Sequence, residues 1–521
     1  MPHETVQIAR AASMISLGNI ASRVLGLVRE IVKSYFFGAG GAVDAFNVAT
    51  SVPTMVSDLL AGGMVNSALV PVFSEYAHDR RDELWGLAAA LLNLIAVLLI
   101  ALIIIGELFA PQIAFVMSSG SSPAVLALTA FLLRITIPAV LFLNLAAVLS
   151  GLLYALKRFT LPAFMAAVFN ASMVLVTLLY HGRMGIAAMA IGLLIGAVAQ
   201  MLLLLPGLRD ARLVFTPTLW HPGLRQIILL FLPIALGVSV DVLISRPISY
   251  TLASQTGEGG ISWMNYATYL MQLPHGLVAT AISFAILPTL SVHAAAMRRG
   301  GDSQPFRVTL ARGMRLVIVL IIPAAVGLFI LAKPVIALIY QHGDFTALDT
   351  RMTSLALQIY LLGLPFAALD LLLVFSFYAL KDTLTPSLIG VAAIAVYLLT
   401  AVLLLPRLGL FSLMAADSIK HLLHMVTSAV LLARRVGGLR QHGLPRTLGV
   451  TLAASAVMGA AAAASLYLLA HLPGMPGGLA EVLAVVVPGV VGAAIYLGLM
   501  FWLRVEEIEL LWGALRRRLA R

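Results

Sequence analysis

The sequence predicts an all-α polytopic membrane protein of about fourteen transmembrane helices, with two six-helix lobes in parallel repeat and two further C-terminal helices. Three observations predict it. First, 61% of the 521 residues are hydrophobic and only 11% are charged, whereas a soluble domain is about 45–50% apolar and about 25% charged. Second, the apolar residues fall into long runs of at least the ~20 residues that one helical crossing needs. Third, short motifs from the first half return in order in the second.

These numbers exclude an aqueous globular enzyme, and with it disordered, collagen-like and coiled-coil classes. The chain has no cysteine, which removes disulfides, thiolate metal sites and cysteine nucleophiles. Its net charge of +11 comes from basic residues in short loops between apolar runs. That pattern marks membrane topology rather than nucleic-acid binding. The start, Met-Pro-His-Glu, carries an acid with no small-residue cleavage site after a short apolar core, so no cleaved signal peptide is expected.

The runs, numbered as spans 1 to 14, are 11–37, 43–77, 84–110, 122–155, 160–180, 184–206, 226–253, 262–292, 309–332, 348–380, 386–405, 409–433, 446–472 and 478–503. Several exceed the bilayer thickness and must tilt, kink or project into water. Pro53, Pro71, Pro138, Pro233, Pro247, Pro274, Pro288 and Pro365 lie inside spans and are candidate kinks. With the N-terminus cytoplasmic, the cytoplasmic side holds 23 of the 33 lysines and arginines, counting Arg312, Arg315 and Arg446 at the cytoplasmic ends of spans 9 and 13 and including Arg80-Arg81, Arg298-Arg299 and Arg434-Arg435. The outer loops hold Arg183, Lys333 and Arg407, and seven cations remain within spans. This asymmetry predicts cytoplasmic N- and C-termini.

The repeat is explicit. Tyr154-Ala155-Leu156-Lys157 with Pro162 returns as Tyr378-Ala379-Leu380-Lys381 with Pro386, and Arg183-x-Gly185 returns as Arg407-x-Gly409, all at an offset of 224 residues. Asn47-x-Ala49-Thr50 returns as Asn265-x-Ala267-Thr268, and Ala68-x-x-Pro71-x-x-Ser74 as Ala285-x-x-Pro288-x-x-Ser291. Residues 1–206 and 207–440 thus form two homologous lobes of six spans each, and 441–521 add spans 13 and 14 with a basic cytoplasmic tail. Six is even, so both lobes enter the membrane in the same direction. This is a transporter plan with the site expected between the lobes.

A charge in hydrocarbon costs about 2.5–3.5 kcal/mol even on lenient insertion scales, so it normally faces a cavity or a partner. Span 1 carries Arg23, Arg29, Glu30 and Lys33; Asp44 opens span 2. Helical periodicity places Arg23, Gly26 and Glu30 on one stripe and Ser22, Gly26, Arg29 and Lys33 on the adjacent one. Arg29 and Lys33 can snorkel to a surface, with Glu30 neutralising one of them, but Arg23 lies near mid-span. Arg246 in span 7 is similarly placed, and the repeat offset sets it nearly equivalent to Arg23. Facing arginines in a membrane cavity suit a phosphate or diphosphate, whose oxygens the guanidinium fork binds bidentately. Asp241 and Asp417 are candidate coupling-cation ligands, or simply partners of Arg246 and Lys420. Arg134 and Arg351 read as structural. No catalytic constellation or metal site appears. His421 and His424 share a helix face without a third ligand nearby in sequence.

Several motifs together resemble the MurJ/MviN family of lipid II flippases, within the multidrug/oligosaccharidyl-lipid/polysaccharide exporter superfamily. They are Ser22-Arg23-x-x-Gly26-x-x-Arg29, Phe37-Gly38, Asp44-Ala45-Phe46, Asn66-x-Ala68-x-x-Pro71-Val72, Ser262-Trp263-Met264-x-Tyr266-Ala267, Leu273-Pro274-x-Gly276, Gly343-x-Phe345-Thr346, Phe377-Tyr378-Ala379, Asp382-Thr383-x-Thr385-Pro386 and Leu408-Gly409-Leu410. The resemblance runs from about residue 10 to 435, and spans 13 and 14 fit the family's two extra helices. It implies two six-helix lobes around a central cationic cavity in the bacterial inner membrane. It implies movement of lipid II from inner to outer leaflet, no enzymatic activity, and no cofactor beyond coupling to a monovalent cation or the membrane potential. Enzymes of cell wall synthesis are candidate partners. Arg23, Arg29 and Asp44 fall on the family's functional positions.

Two stretches depart from the family pattern. Where the family usually has arginines before Ala-Glu-Gly in span 2, this chain has Ser57-Asp58-Leu59-Leu60-Ala61-Gly62-Gly63; where it usually has Ala-Asp-Arg in span 8, this chain has Ala267-Thr268-Tyr269. Two cavity cations are absent, and Arg246 is the candidate replacement for one. The alternatives are a flippase for another undecaprenyl-diphosphate-linked glycan, an ion-coupled multidrug exporter, and a membrane glycosyltransferase or polymerase. The last would need an outer loop bearing catalytic carboxylates, and the short outer loops offer little beyond Glu258 and Asp344.

The charge asymmetry predicts that reporter fusions after Arg81, Arg299 and Arg435 read cytoplasmic, and fusions near Ser121 and Glu258 external. A cytoplasmic reading at Glu258 breaks the fourteen-span reading.

Overall fold

The computed structural model describes residues 2–60, 64–209, 218–438, 443–471 and 477–519. Ala61-Gly62-Gly63 of the divergent span 2 stretch lie outside them. The described residues are helical nearly throughout, and none is in a strand. Ten helices among them are long and apolar enough to cross a membrane. The sequence segments of spans 1, 2, 7 and 12 are not among these ten. They too are helical: Pro2–Phe37, Gly41–Leu60 followed by Val70–Asp79, Pro222–Val240 followed by Arg246–Ser254, and Phe411–Val436. Spans 1, 7 and 12 hold the Arg23–Lys33, Asp241–Arg246 and Asp417–Lys420 charges, and span 2 holds Asp44 and Asp58. Two short helices escaped sequence reading, Ala110–Ser118 after span 3 and Ala332–Tyr340 after span 9. They occupy corresponding places in the two halves.

Four of the eight candidate prolines adjoin a helix break or a widened turn. Pro138 separates Pro123–Thr136 from Ala139–Ala155 within span 4. Three π-helical turns, Val65–Leu69, Asp241–Ser245 and His275–Ala279, adjoin Pro71, Pro247 and Pro274. A proline lacks the N–H of the i→i−4 ladder and crowds the carbonyl four residues back. A wider turn next to it accommodates both defects. Pro53, Pro288 and Pro365 instead sit inside continuous helices.

The repeat is visible in the backbone. Lys157 and Lys381 both take a left-handed conformation, with φ of 58° and 62°. Each follows the same helix end: Lys157 N–H donates to the Tyr154 carbonyl and Lys381 N–H to that of Tyr378, both at 2.9 Å. Gly185 and Gly409 match as well, with φ of 55° and 53°.

Contacts divide the chain into two compact units, Met1–Ser262 with Gly343–Phe345, and Trp263–His342 with Thr346–Arg521. The contact boundary falls after span 7, whereas the repeat boundary falls before it. Leu69, Phe73, Leu84 and Leu152 are fully buried in the first unit; Tyr266, Phe306, Tyr340 and Phe377 are fully buried in the second. In the second unit the Tyr266 and Tyr340 rings lie 4.9 Å apart. Thr346 and Asp349 close a capping box at the start of Ala347–Ala379, and Trp263 Nε1 donates to Asp349 at 2.8 Å.

Two motifs far apart in sequence meet in the first unit. Asp344 N–H donates to the Tyr35 carbonyl at 2.9 Å. Gly38 and Gly343 both have positive φ, and a Cβ on Gly343 would stand 2.0 Å from the Tyr35 oxygen. Both the φ and the backbone approach demand glycine there. Gly343→Ala is expected to destabilise the protein by about 1–3 kcal/mol. Thermal unfolding of the detergent-purified chain checks this, and an unchanged melting temperature contradicts it.

Candidate functional site

Span 1 is a helix from Pro2 to Phe37 that carries the densest set of intramembrane charges. Glu30 sits between two cations: Arg29 Nη2 lies 2.7 Å from its Oε1 and Lys33 Nζ 2.5 Å from its Oε2. Glu30 and Lys33 are 5% and 3% exposed, so both are enclosed by protein. Arg29 also donates through Nη1 to Asn170 Oδ1 on span 5 at 2.9 Å, and Lys33 to Asn47 Oδ1 on span 2 at 3.3 Å. Removing one half of such a buried pair costs about 3–5 kcal/mol, because the other charge is stranded. Snorkelling, the alternative for Arg29 and Lys33, gives way here to a buried network with a net charge of one. Arg23 is different. It is exposed, with no ion-pair or hydrogen-bond partner among the described residues.

Asp44 is 3% exposed. Its carboxylate accepts from Gly259 N–H at 2.6 Å, and from Ser262 N–H and Oγ at 2.8 and 2.6 Å. These amides open the helix Gly260–Pro274 of span 8. A carboxylate there satisfies orphan N–H donors and complements the positive end of the helix dipole. Asn47 Nδ2, one turn further along span 2, donates to Ser262 Oγ at 3.4 Å. Ser122 Oγ meets Glu258 at 3.2 Å, and Gly120 N–H meets Ser254 Oγ at 3.0 Å. Asp44 therefore ties the segment between spans 7 and 8 to span 2, instead of presenting a free carboxylate.

Arg246 has two acidic partners. Its Nε lies 3.2 Å from Asp241 Oδ2, across the π-turn, and its Nη1 lies 2.6 Å from Asp58 Oδ2 on span 2. Asp58 belongs to the stretch where the family usually carries arginine. The charges are thus exchanged: the acid stands on span 2 and the arginine on span 7. One cation with two carboxylates carries a net charge of minus one, which repels an anionic ligand unless a carboxylate is displaced or protonated. All three side chains are 39–47% exposed, so water screens the pairs and each is worth at most about 1 kcal/mol.

Asp241 has its partner in Arg246. In the second unit, Asp417 has its own in Lys420, at 2.5 Å. Asp241 and Asp417 lie in different compact units, and each carboxylate is engaged by a cation of its own helix. Sequence reading missed Asn47, Asn170, Ser262 and Asp58 as partners. Asn170 and Asp58 carried one usable signal, a polar group within an apolar span.

An all-helical fold with ten helices among the described residues long and apolar enough to cross a membrane, and with paired charges inside its spans, defines the class of a polytopic membrane transporter. The chain is similar to a MATE-family multidrug transporter of the MOP superfamily in its inward-facing conformation, with a TM-score of 0.67 at 17% identity, covering 81% of this chain and 96% of that one. That likeness is one of fold. It matches the family described as lipid II flippase MurJ over residues 33–485. A lipid II flippase MurJ of Burkholderia cenocepacia is 32% identical over 416 residues, 78% of this chain and 80% of that protein. A probable lipid II flippase MurJ of Bdellovibrio bacteriovorus is 30% identical over 517 residues, 96% of each. A solved lipid II flippase MurJ in an inward closed conformation aligns with a TM-score of 0.77 at 25% identity, covering 94% of this chain and 98% of that one. The chain belongs to the lipid II flippase MurJ family.

The exchanged pair gives a stability prediction. Arg246→Ala leaves Asp58 and Asp241 facing each other, and is expected to lower the melting temperature more than Asp58→Asn, which leaves the Arg246–Asp241 pair. Arg246→Ala with Asp58→Asn is expected to recover part of that loss. Equal loss in the single and double variants contradicts the pairing.

Proposed function

We propose that the chain moves lipid II from the inner to the outer leaflet of the bacterial cytoplasmic membrane by alternating access, with both termini cytoplasmic. The carrying observation is the family match over residues 33–485, joined to the position of Arg23. On span 1, Arg29 and Lys33 are held by Glu30, and Arg246 is held by two carboxylates. Arg23 stays open to a ligand, and its planar fork suits the diphosphate of a polyprenyl-linked precursor. Arg29, with only one guanidinium nitrogen directed to Asn170 and two to Glu30, supplies neighbouring positive charge. Asp44, on the amides of span 8, acts as a latch that holds the segment between spans 7 and 8 against span 2. In alternating access this latch opens to release the headgroup outward. Cell wall synthesis enzymes are the proposed consumers of the delivered precursor.

A drug exporter is less well supported, since the MATE likeness lies at 17% identity and shows fold alone. Complementation of a cell depleted of its own lipid II flippase tests the proposal. Arg23→Ala is expected to abolish rescue while the protein remains inserted and stable. Arg23→Lys is expected to rescue in part, because an ammonium keeps the charge and loses the bidentate fork. Full rescue by Arg23→Ala rules out Arg23 as the diphosphate ligand.

A further inference from the structure

Span 12 carries a line of polar groups distinct from the charges of spans 1, 2 and 7. Asp417, His421, His424 and Ser428 recur at helical spacing on Phe411–Val436, and so lie along one face. From Asp417 to Ser428 the line is about 16 Å long, roughly half the hydrocarbon thickness. Span 10 supplies the group that completes it. Asp370 receives the Nδ1 edge of His424 through Oδ1, while its Oδ2 lies 4.0 Å from His421 Nδ1. His421 Nε2 lies 3.7 Å from Asp417 Oδ2, and Lys420 Nζ 2.5 Å from Asp417 Oδ1. Ser428 Oγ is 3.3 Å from His424 Nδ1.

The other helices around this line contribute few titratable groups. From span 11, Tyr397 lies beneath Lys420 at 5.5 Å, and Gly390 faces His424 Nε2. From span 8, His275 turns its Nε2 to the Ala367 carbonyl at 3.4 Å, one turn before Asp370. Two carboxylates and one ammonium leave a net charge of minus one when the histidines are neutral. Hydrocarbon penalises that charge, and one added proton cancels it. Metal ligation fits poorly. No group of three histidine and acidic side chains converges as a metal site among the described residues, and Lys420 already occupies Asp417.

We propose that Asp370 and His424, with His421 and Asp417 beside them, form a proton-binding site that couples proton movement to the transport cycle. A proton from water adds to the His424 imidazole, forming an N–H bond and an imidazolium–carboxylate pair with Asp370. It leaves to water when the imidazole is restored. The two halves of the pair stand on spans 10 and 12, so the proton decides how strongly those helices are held together. This supplies the two-state element that coupling requires. It rests on the flippase reading for what is transported, though not for the site itself.

Two measurements on the full chain test it. In liposomes holding lipid II, with potassium and valinomycin clamping the membrane potential, a one-unit pH difference is worth up to about tenfold for one coupled proton. The wild-type rate of lipid II movement is expected to change about threefold or more under it. His424→Gln and Asp370→Asn are expected to lose that response, and His342→Gln, outside the cluster, to keep it. A wild-type rate indifferent to the pH difference, or an undiminished response in His424→Gln, overturns the coupling.

The second measurement needs no lipid II. Infrared difference spectra between about pH 8 and about pH 5, the range in which histidine ordinarily changes charge, are expected to show an imidazolium band with a buried carboxylate band. Both should vanish in His424→Gln, and the carboxylate band in Asp370→Asn. A spectrum unchanged by His424→Gln overturns the site. A chain that moves no lipid II under any gradient overturns the flippase reading instead, and the infrared result then decides the proton site alone.

Discussion

A charge in hydrocarbon has no water to fall back on, so each charged group in a span must find its partner within the protein. Much of what is distinctive here follows from that constraint. Glu30 is buried because Arg29 and Lys33 flank it on one helix. Asp44 is buried because the opening amides of span 8 donate to its carboxylate. Asp58, Arg246 and Asp241 are more open to water, and there a weaker pairing suffices. The apolar majority of the chain is scaffold, and the helices that fail as plain crossings are the ones that carry these groups.

Two of these helices, spans 2 and 7, are mechanically irregular, and so is span 8. Spans 2, 7 and 8 each contain a π-helical turn beside a proline. Such turns concentrate at functional positions in helices. In span 7 the turn begins at Asp241 and ends just before Arg246, so the irregularity and the ion pair share one stretch of backbone. In span 8 it lies one helix length from the amides that hold Asp44. A helix that bends must keep its backbone hydrogen bonds, and a wide turn next to a proline allows that.

Spans 2 and 7 meet in one ion-paired group, in which Asp58 and Asp241 together answer Arg246. Arg246 is therefore already neutralised, whereas Arg23 has no such neighbour.

The sequence by itself determined the helical class, the order of the spans, the repeat and most of the charged residues that matter. It could do so because hydropathy and helical period are local properties. The paired left-handed Lys157 and Lys381 show how far local sequence reaches, since the same tetrapeptide ends both helices in the same way. It did not determine the partners. Asp58 for Arg246, Asn170 for Arg29, the span 8 amides for Asp44 and Asp370 for His424 all come from helices distant in sequence. A periodicity shows which face a residue occupies and nothing about which helix lies opposite. Only the tertiary structure decided whether an intramembrane charge was open, as at Arg23, or already held, as at Lys33. That is settled by packing between helices, which no single helix encodes.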